Sequence, residues 1–465
     1  MTEIAEIARV LALQATHKHV LRATSATQRI AKLQALRAAV VALHRETSLA
    51  LAADFGKPGL EAATESFAVL GEIDHAVANL SQWMEPIEVL PGPNAVPGTR
   101  ARILHEPKGL VVIFGPWNFP FSLLLQPLVG AIAAGNACIL KPSELTPATA
   151  AHTVRLIRSL FSESEVAIFE GGPDVAGALL ELPFDHIFFT GSTKVGKVVM
   201  AAAARHLASV TLELGGKSPA IIDDDVDLAQ SASRIAWGKF LNAGQVCLSP
   251  DHVWVKRPQR DAFVAAFVAA IQRFFYPDGV FNETDFGQII DDRNLKRLTR
   301  LIDDAVSRGA RICCGGNILA TRRLEPTVLI DVPRDAAIMQ EEIFGPIMPI
   351  LTYDDLDDVV DELNRRDKPL ALYVFSPRAD VVDTILSRTS SGGVTVNDVI
   401  QHAAERNLPF GGVGPSGQGS YHGRYSFLAF THQRSVYDQA PENPSGDFLH
   451  PPYAGKAEAL APMMR

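Results

Sequence analysis

From residue 110 onward the chain alternates short apolar runs with longer segments of helical periodicity. Strands joined through helices pair in parallel, and a parallel sheet is buried on both faces. The pattern therefore predicts a doubly wound α/β sheet that binds a dinucleotide at its carboxyl edge. The predicted elements are strands at Leu110–Gly115, Ala137–Leu140, Ala167–Glu170 and His186–Thr190, and helices at about 121–135, 147–161 and 194–206.

A second run of the same kind extends from about 219 to 400. A chain of 465 residues is too long for one hydrophobic core, so we expect two or three domains. In this run the predicted strands are Ala220–Ile222, His252–Val255, Ile347–Leu351 and Ala371–Phe375, and the predicted helices lie at about 227–242, 259–274, 292–308 and 355–364.

The flanking segments have other patterns. Residues from about 10 to 85 show helical periodicity, and the N-terminus favours an amphipathic helix over a signal peptide because it has no basic leading region. Ile87–Gly109 holds a Pro/Gly cluster between two strand-like runs, which predicts a hairpin with an edge available to another subunit. After about 438 we expect a tail that is disordered or lies across a neighbouring subunit.

Charge and composition exclude several classes of protein. The formal net charge is −9 and no block of like charge stands out, so nothing favours nucleic acid or an anionic membrane as partner. The most apolar stretch, Phe121–Leu140, contains Pro127 and Asn136, which favours a buried helix over a membrane span. The four cysteines have the spacing of neither a disulfide framework nor a metal site, which indicates a reducing, cytoplasmic setting.

The segment LNAGQVCLSP, Leu241–Pro250, places Cys247 after a helix and a turn that contains glycine. A single cysteine is more often a buried structural residue, but this turn would leave the thiol in a loop. A free thiol has a pKa of about 8.5 and is mostly protonated at neutral pH. A nucleophilic cysteine therefore needs a cation, a backbone dipole or a base beside it. The residues alone leave both roles open.

The segment SVTLELGGKSP, Ser209–Pro219, carries Glu213 inside an apolar, strand-like run. Burial of an unpaired carboxylate is costly, so Glu213 is either half of a structural salt bridge or an acid–base group. In FGPWNFP, Phe114–Pro120, Asn118 offers an amide donor at the carboxyl end of a predicted strand, where such a sheet places its ligand. Alternatively, the Asn118 amide forms a hydrogen bond within the turn and only stabilises it.

Two further segments carry signals for ribose and phosphate binding. LKPSE ends a predicted strand with a cation, Lys141, and a carboxylate, Glu144. FTGSTKVG joins a strand to a helix through Gly191 and Ser192, and the helix N-terminus could hold a phosphate. Because it lacks the G-x-G-x-x-G spacing, this segment is a weak signal on its own.

Taken together, these motifs resemble the aldehyde dehydrogenase superfamily. PWNFP, KPSE, FTGST, LELGGKSP, GQVC and EEIFGP follow the family's order and spacing, from about residue 20 to 437. GGVTVND, LPFGGVG and GSYHG resemble the class 3 branch, which includes coniferyl aldehyde dehydrogenases. The resemblance implies a Rossmann-like NAD-binding domain, an α/β catalytic domain and a small β element for oligomerisation.

The resemblance also implies a mechanism. Cys247 matches the nucleophile, and Glu213 matches the base that activates the cysteine or the deacylating water. Asn118 and the backbone N–H of Cys247 match the oxyanion hole. Thiolate attack on an aldehyde creates a tetrahedral alkoxide that needs such preorganised donors, and hydride transfer then leaves a thioester for water to hydrolyse.

Further positions match the family's cofactor site. Trp117, Gly191 and Ser192 lie where the family contacts the pyrophosphate. Glu342 and Phe344, in EEIFGP, match residues that position the nicotinamide ribose and ring.

Lys141 and Glu144 match the pair that holds the adenosine ribose. A carboxylate at that position repels the 2′-phosphate of NADP, so we expect NAD to be preferred and NADP to be usable with help from Lys141.

The class 3 resemblance favours a homodimer and medium- or long-chain aliphatic or aromatic aldehydes. Two other functions stay open: an enzyme that passes the acyl group to coenzyme A, and a catalytically inactive binding or structural relative. Glu213 disfavours the first, and the joint presence of Cys247, Glu213 and Asn118 disfavours the second. The implied domains are 1–86 with 108–213 for the cofactor, 214–408 for catalysis, 87–107 with 409–437 for bridging, and a tail at 438–465.

Overall fold

The structure is a computed structural model that describes residues 3–92, 95, 97–319, 322–440 and 450–460. Among these residues no helix has both the length and the apolar character to cross a bilayer. The helices are α1 (Glu3–Arg22), α2 (Ala26–Ala42), α3 (His44–Phe55), α4 (Gly59–Trp83), α5 (Ser122–Ala134), α6 (Pro147–Leu160), α7 (Pro173–Leu180), α8 (Thr193–His206), α9 (Leu228–Phe240), α10 (Arg260–Phe275), α11 (Asp292–Ser307), α12 (Ala337–Gln340), α13 (Leu356–Asn364), α14 (Ala379–Arg388), α15 (Gln401–Ala404), α16 (Arg424–Ala429) and α17 (Lys456–Leu460).

The strands pair into three larger sheets and one short ribbon within the described residues. They are β1 (Ile87–Val89), β2 (Arg100–Pro107), β3 (Leu110–Phe114), β4 (Ala137–Lys141), β5 (Val166–Ile168), β6 (His186–Thr190), β7 (Ser209–Glu213), β8 (Pro219–Ile222), β9 (His252–Lys256), β10 (Arg311–Cys314), β11 (Ile318–Leu319), β12 (Arg323–Leu324), β13 (Thr327–Ile330), β14 (Ile347–Tyr353), β15 (Ala371–Phe375), β16 (Gly393–Val396), β17 (Gly417–Gln418) and β18 (Thr431–Asp438).

The first large sheet has the strand order β17-β7-β6-β3-β4-β5, and its strands from β3 to β7 are parallel. Strand β3 is buried throughout: Val111 and Ile113 pack in one core layer, and Leu110, Val112 and Phe114 pack in the other. The chain winds from β3 to β5 in one direction and then returns to β6 and β7 on the other side. The predicted doubly wound sheet is confirmed, and its switch point lies between β3 and β6.

The second large sheet has the order β10-β13-β14-β9-β8-β15-β16, and only β10 runs antiparallel to its neighbour. Helix α9 is shorter than the predicted helix at 227–242. It ends at Phe240, and a distorted turn at Leu241–Gly244 follows, with left-handed backbone at Asn242 and Ala243. Sequence periodicity predicted a continuous helix because Asn242 and Ala243 are not helix breakers.

The third sheet joins two segments that are distant in sequence, in the order β1-β2-β18. Strand β1 pairs with β2 from Ile87 to Val89, as the hairpin prediction requires, and β18 pairs with β2 along its whole length. Residues 93, 94 and 96 of the predicted turn lie outside the described residues, as do 441–449 and 461–465 of the predicted tail.

Asn136 connects this third sheet to the first. It is buried, its Oδ1 accepts from the Gly109 N–H at 2.8 Å, and its Nδ2 donates to the Phe430 carbonyl at 3.0 Å. Gly109 precedes β3, and Phe430 precedes β18. One amide therefore satisfies backbone groups at both junctions.

We expect Asn136→Ala to destabilise the protein by about 2–3 kcal/mol, because it leaves the buried Gly109 N–H without a partner and removes one of the two donors to the Phe430 carbonyl, the other being the Lys108 N–H. The thermal midpoint should fall by about 2–4 °C in a calorimetric scan of a chain of this length. Gln272→Ala, on the exposed face of α10, is the control and should leave the midpoint within about 0.5 °C. An unchanged midpoint for Asn136→Ala would contradict this account of how the sheets are joined.

Candidate active site

Cys247 lies just beyond an unusual turn at the end of α9. Asn242, Ala243 and Gly244 all have positive φ, at 52°, 53° and 75°. At Gly244 a Cβ atom would lie 2.3 Å from the Gly345 carbonyl oxygen, so only glycine fits. Non-glycine residues in this conformation carry strain that the surroundings must offset.

Gln245 stabilises that turn through its side chain. Its Nε2 donates to the carbonyls of Asn242 and Gln288, both at 3.0 Å, and its Oε1 accepts from the Ile290 N–H at 2.9 Å. The side chain is 1% exposed, so these bonds form away from water, where an unmade bond would be costly. They tie the strained turn to the segment at 288–290.

The Cys247 thiol is partly buried, and burial raises its pKa to about 12. The negative charges of Glu342 and Glu213 act in the same direction, while backbone N–H groups of Cys247 and Leu248 lower the pKa by donating to the sulfur. The prediction of a thiol in a loop is confirmed. In this arrangement the sulfur holds its proton at neutral pH.

Glu213 lies at the end of β7, between β6 and β17, and is 3% exposed. Within the part of the chain that the structure describes, neither of its carboxyl oxygens has a hydrogen-bond partner, so the salt bridge left open by the sequence is not formed there. Burial alone raises the pKa of Glu213 well above its ordinary value. A buried, unpartnered carboxyl group beside a cysteine is costly to the fold and is typical of acid–base sites.

Asn118 lies in the loop after β3 of the first large sheet, the sheet that also carries Glu213, whereas Cys247 belongs to the second. Its side-chain amide donates to the Gln245 carbonyl at 3.0 Å. Its own carbonyl accepts from Lys57 Nζ and from Asn242 Nδ2, each at 3.0 Å. An amide group has two N–H donors, so a second one is left for a ligand after the bond to Gln245.

Trp117 and Phe344 are in contact, although they lie in loops that belong to different sheets. Their rings are 5.3 Å apart in an edge-to-face arrangement, and Phe344 has a positive φ of 46°. Glu342, two residues earlier, accepts from the Gly216 N–H and has a pKa raised by burial to about 7. A Cβ at Gly215 would lie 2.3 Å from the Glu342 carboxylate oxygens, so this approach requires glycine.

The remaining predicted cofactor residues line the carboxyl edge of the first sheet. Lys141 ends β4 and pairs with Glu144 at 2.8 Å. Ser192 caps α8 by accepting from the Val195 N–H, and the Gly191 N–H donates to the Glu213 carbonyl. An adjacent cation and carboxylate, a helix N-terminus and a glycine turn fit the ribose and phosphates of a dinucleotide.

Two tyrosines near Cys247 were not identified as site residues by the sequence analysis. The fully buried Tyr373 donates from its hydroxyl to the Leu248 carbonyl at 2.6 Å. Tyr421 is 1% exposed, and the charges of Glu213 and Cys247 help raise its pKa well above the ordinary value. Tyr421 was within reach of sequence reasoning through the GSYHG motif, whereas Tyr373 sits in an ordinary strand pattern.

Comparison with known proteins gives a consistent picture. The Aldehyde dehydrogenase family model matches residues 3–436. A Bacillus subtilis protein named as the aldehyde dehydrogenase AldX is 48% identical, over 94% of this chain and 98% of that protein. A Caulobacter vibrioides protein named as a coniferyl aldehyde dehydrogenase is 42% identical over 92% and 90%, and Aldehyde dehydrogenase family 3 member B1 of Rattus norvegicus is 43% identical over 94% and 92%. A solved structure of the substrate-bound state of Staphylococcus aureus AldH superposes with a TM-score of 0.93, at 39% identity, over 99% of each chain.

We expect Glu342→Gln to speed the alkylation of Cys247 by iodoacetamide about three- to tenfold at pH 8.5. Above its pKa of about 7 the Glu342 charge raises the pKa of the thiol, so removing that charge increases the thiolate fraction. At pH 6 Glu342 is largely protonated, and the two proteins should react equally. Glu341→Gln, whose side chain pairs with Arg300, is the control. Slower alkylation of the variant at pH 8.5 would contradict the prediction.

Proposed function

The chain belongs to the aldehyde dehydrogenase family and oxidises aldehydes, and we propose that Cys247 is its nucleophile, Glu213 its general base and Asn118 a donor of its oxyanion hole. One observation supports this most strongly. The only unpartnered buried carboxyl group beside Cys247 in the described part of the chain is that of Glu213, which is placed to exchange protons there.

The first step is formation of the thiolate. Burial raises the pKa of both Cys247 and Glu213 and so favours their protonated forms in the arrangement described. Because no hydrogen bond holds Glu213, a rotation toward water can ionise it, and the carboxylate then takes the thiol proton. The sulfur attacks the aldehyde carbon, forming a C–S bond while the C=O π electrons move to oxygen.

The resulting alkoxide needs donors that are already in place. The second N–H of Asn118 and the backbone N–H of Cys247 are suited to this task, because the first is oriented by its partner bond to Gln245 and the second lies beside the sulfur. A bound nicotinamide supplies the hydride acceptor for the oxidation. The product left on the protein is a thioester of Cys247.

Glu213 completes the cycle by removing a proton from water as the water oxygen attacks the thioester carbon. The C–S bond breaks, the carboxylic acid leaves, and the sulfur is restored. Transfer to coenzyme A needs no base for water, so the presence of Glu213 favours hydrolysis. The inactive-relative alternative is disfavoured because Cys247, Glu213 and Asn118 are all kept and lie in one site.

For the cofactor we propose NAD in preference to NADP. Lys141 and Glu144 would hold the adenosine ribose, and Ser192 at the start of α8 would face the pyrophosphate, with Trp117 and Gly191 beside it. Glu342 and Phe344 would position the nicotinamide ribose and ring, although Glu342 must first leave Gly216.

The proposed substrates are medium- or long-chain aliphatic and aromatic aldehydes. Helices α4 and α9 both contact the catalytic turn, and they expose apolar side chains: Leu60 is 80% exposed, Phe67 65% and Trp237 44%. Exposed apolar side chains on helices that contact a site favour an apolar ligand there. The relatives named for coniferyl aldehyde and for family 3 agree with this class.

We further propose a cytoplasmic homodimer built through the bridging element at 87–107 and 409–437. Every residue of β1 is exposed, including Ile87 and Val89, and six of the eight residues of β18 are exposed. A thin sheet with uncovered faces and edges gains stability from a second subunit. The four cysteines are free thiols, which suits a reducing compartment.

The function is tested by NAD(P)H production from aldehydes between acetaldehyde and decanal, with benzaldehyde and coniferyl aldehyde included. Cys247→Ala should abolish production, while Cys313→Ala, which removes an exposed thiol, should leave it unchanged. Glu213→Gln should lower steady turnover about 10²- to 10⁴-fold, because deacylation loses its base. Wild-type protein that binds NAD but oxidises no aldehyde would favour the inactive-relative alternative, and a strict need for coenzyme A would favour acyl transfer.

Cofactor choice is tested by Glu144→Gln. Loss of the carboxylate removes both an acceptor for the ribose hydroxyls and the repulsion of a 2′-phosphate, so the preference for NAD over NADP in kcat/KM should fall about tenfold or more. Glu181→Gln, which disturbs an exposed pair with Arg205, serves as the control. A wild-type preference of about tenfold for NADP would overturn the role given to Glu144.

A further inference from the structure

Lys57 is a fully buried charge next to the candidate oxyanion donor. Its ammonium group is 0% exposed and forms an ion pair with Glu65, which is also 0% exposed. It donates to the Asn118 carbonyl at 3.0 Å and lies 3.8 Å from the centre of the Phe119 ring. The partners in these three contacts belong to α4 or to the loop after β3.

Glu65 holds the same loop from its other side. Its Oε2 accepts from the N–H groups of Phe121 and Ser122, both at 3.0 Å, at the start of α5. The loop that carries Asn118 is therefore held by both members of this ion pair: Lys57, just before α4, binds its carbonyl at one end, and Glu65 of α4 binds its N–H groups at the other. Well-packed apolar side chains often stabilise a fold as well as a buried ion pair does, so stability alone does not account for this pair.

The catalytic turn contacts the same group of residues. Asn242 donates from its Nδ2 to the Asn118 carbonyl at 3.0 Å, and its backbone N–H donates to Glu61 of α4 at 2.9 Å. The Asn118 carbonyl thus accepts from two donors, one from Lys57 just before α4 and one from the turn that precedes Cys247. Burial raises the pKa of Glu61 to about 7, so this carboxyl group also lies in a largely water-excluded place.

We propose that Lys57 and Asn242 are positioning residues that together clamp the Asn118 carbonyl and so aim the Asn118 side-chain amide at the oxygen bound next to Cys247. The inference rests on the proposed role of Asn118. With its carbonyl held twice and its amide held by Gln245, the residue has little freedom to rotate, and the remaining N–H points in one direction. A displacement of about 1 Å in such a donor costs about 100-fold in rate.

The test separates two reactions of the same thiol. Acylation by p-nitrophenyl acetate passes through an oxyanion and needs the Asn118 donor, whereas alkylation by iodoacetamide forms no oxyanion. Lys57→Met combined with Glu65→Gln removes the clamp without leaving a buried charge unpaired. The matched control is Arg37→Met with Asp74→Asn, which neutralises an exposed ion pair between α2 and α4.

We expect the Lys57/Glu65 variant to acylate about 100-fold more slowly while alkylation stays within about twofold and NAD affinity is unchanged. In an Asn118→Ala background the same change should add almost nothing, since residues that act as a unit are not additive. Equal losses in acylation and alkylation, or losses that multiply with Asn118→Ala, would overturn the proposal. Retained acylation would overturn it as well.

A second variant covers the case in which the first does not fold. Asn242→Asp keeps a residue that tolerates left-handed backbone but removes the other donor to the Asn118 carbonyl, so it should produce the same split between the two reactions. The absence of a split would reject the clamp. If Asn118→Ala itself leaves acylation unchanged, the proposed oxyanion role fails instead, which distinguishes that failure from a failure of the clamp.

Discussion

The hydrogen bond from the Asn118 amide to the Gln245 carbonyl joins the loops of two separate sheets, and the site depends on it. Each parallel sheet is buried on both faces, so only its carboxyl edge can present polar groups to a ligand. Asn118 follows β3 of one sheet, and Gln245 precedes Cys247 in the other. The edge-to-face contact of Trp117 with Phe344 joins the same two edges.

Burial disfavours the charged forms of the ionisable groups in the site. Glu213 lacks a partner, Glu342 has a pKa near neutrality, and the Cys247 thiol has a pKa of about 12. In such a water-poor place fixed dipoles act strongly on any charge that forms during reaction. The strained turn at Asn242–Gly244 and the Gln245 hydrogen bonds keep those dipoles fixed. The backbone strain of the turn is the energetic cost of this fixed arrangement.

Sequence reasoning identified the family, which the comparisons confirm, and the parallel strands of both large sheets, because apolar runs between helical segments are a local signal. It did not identify Lys57, Glu65 or Tyr373. These residues become significant only through partners far along the chain, and no spacing rule reports such contacts.

By itself the sequence determined which groups could carry the chemistry: a cysteine after a glycine-containing turn, a carboxyl group in an apolar strand and an amide after another strand. These are properties of residues adjacent in the sequence, so they can be recognised without knowledge of the fold. Only the tertiary structure decided the protonation and orientation of those groups. The raised pKa of Glu213 follows from its burial, and the direction of the Asn118 amide follows from its bond to Gln245, because burial and long-range hydrogen bonds arise when distant segments pack together.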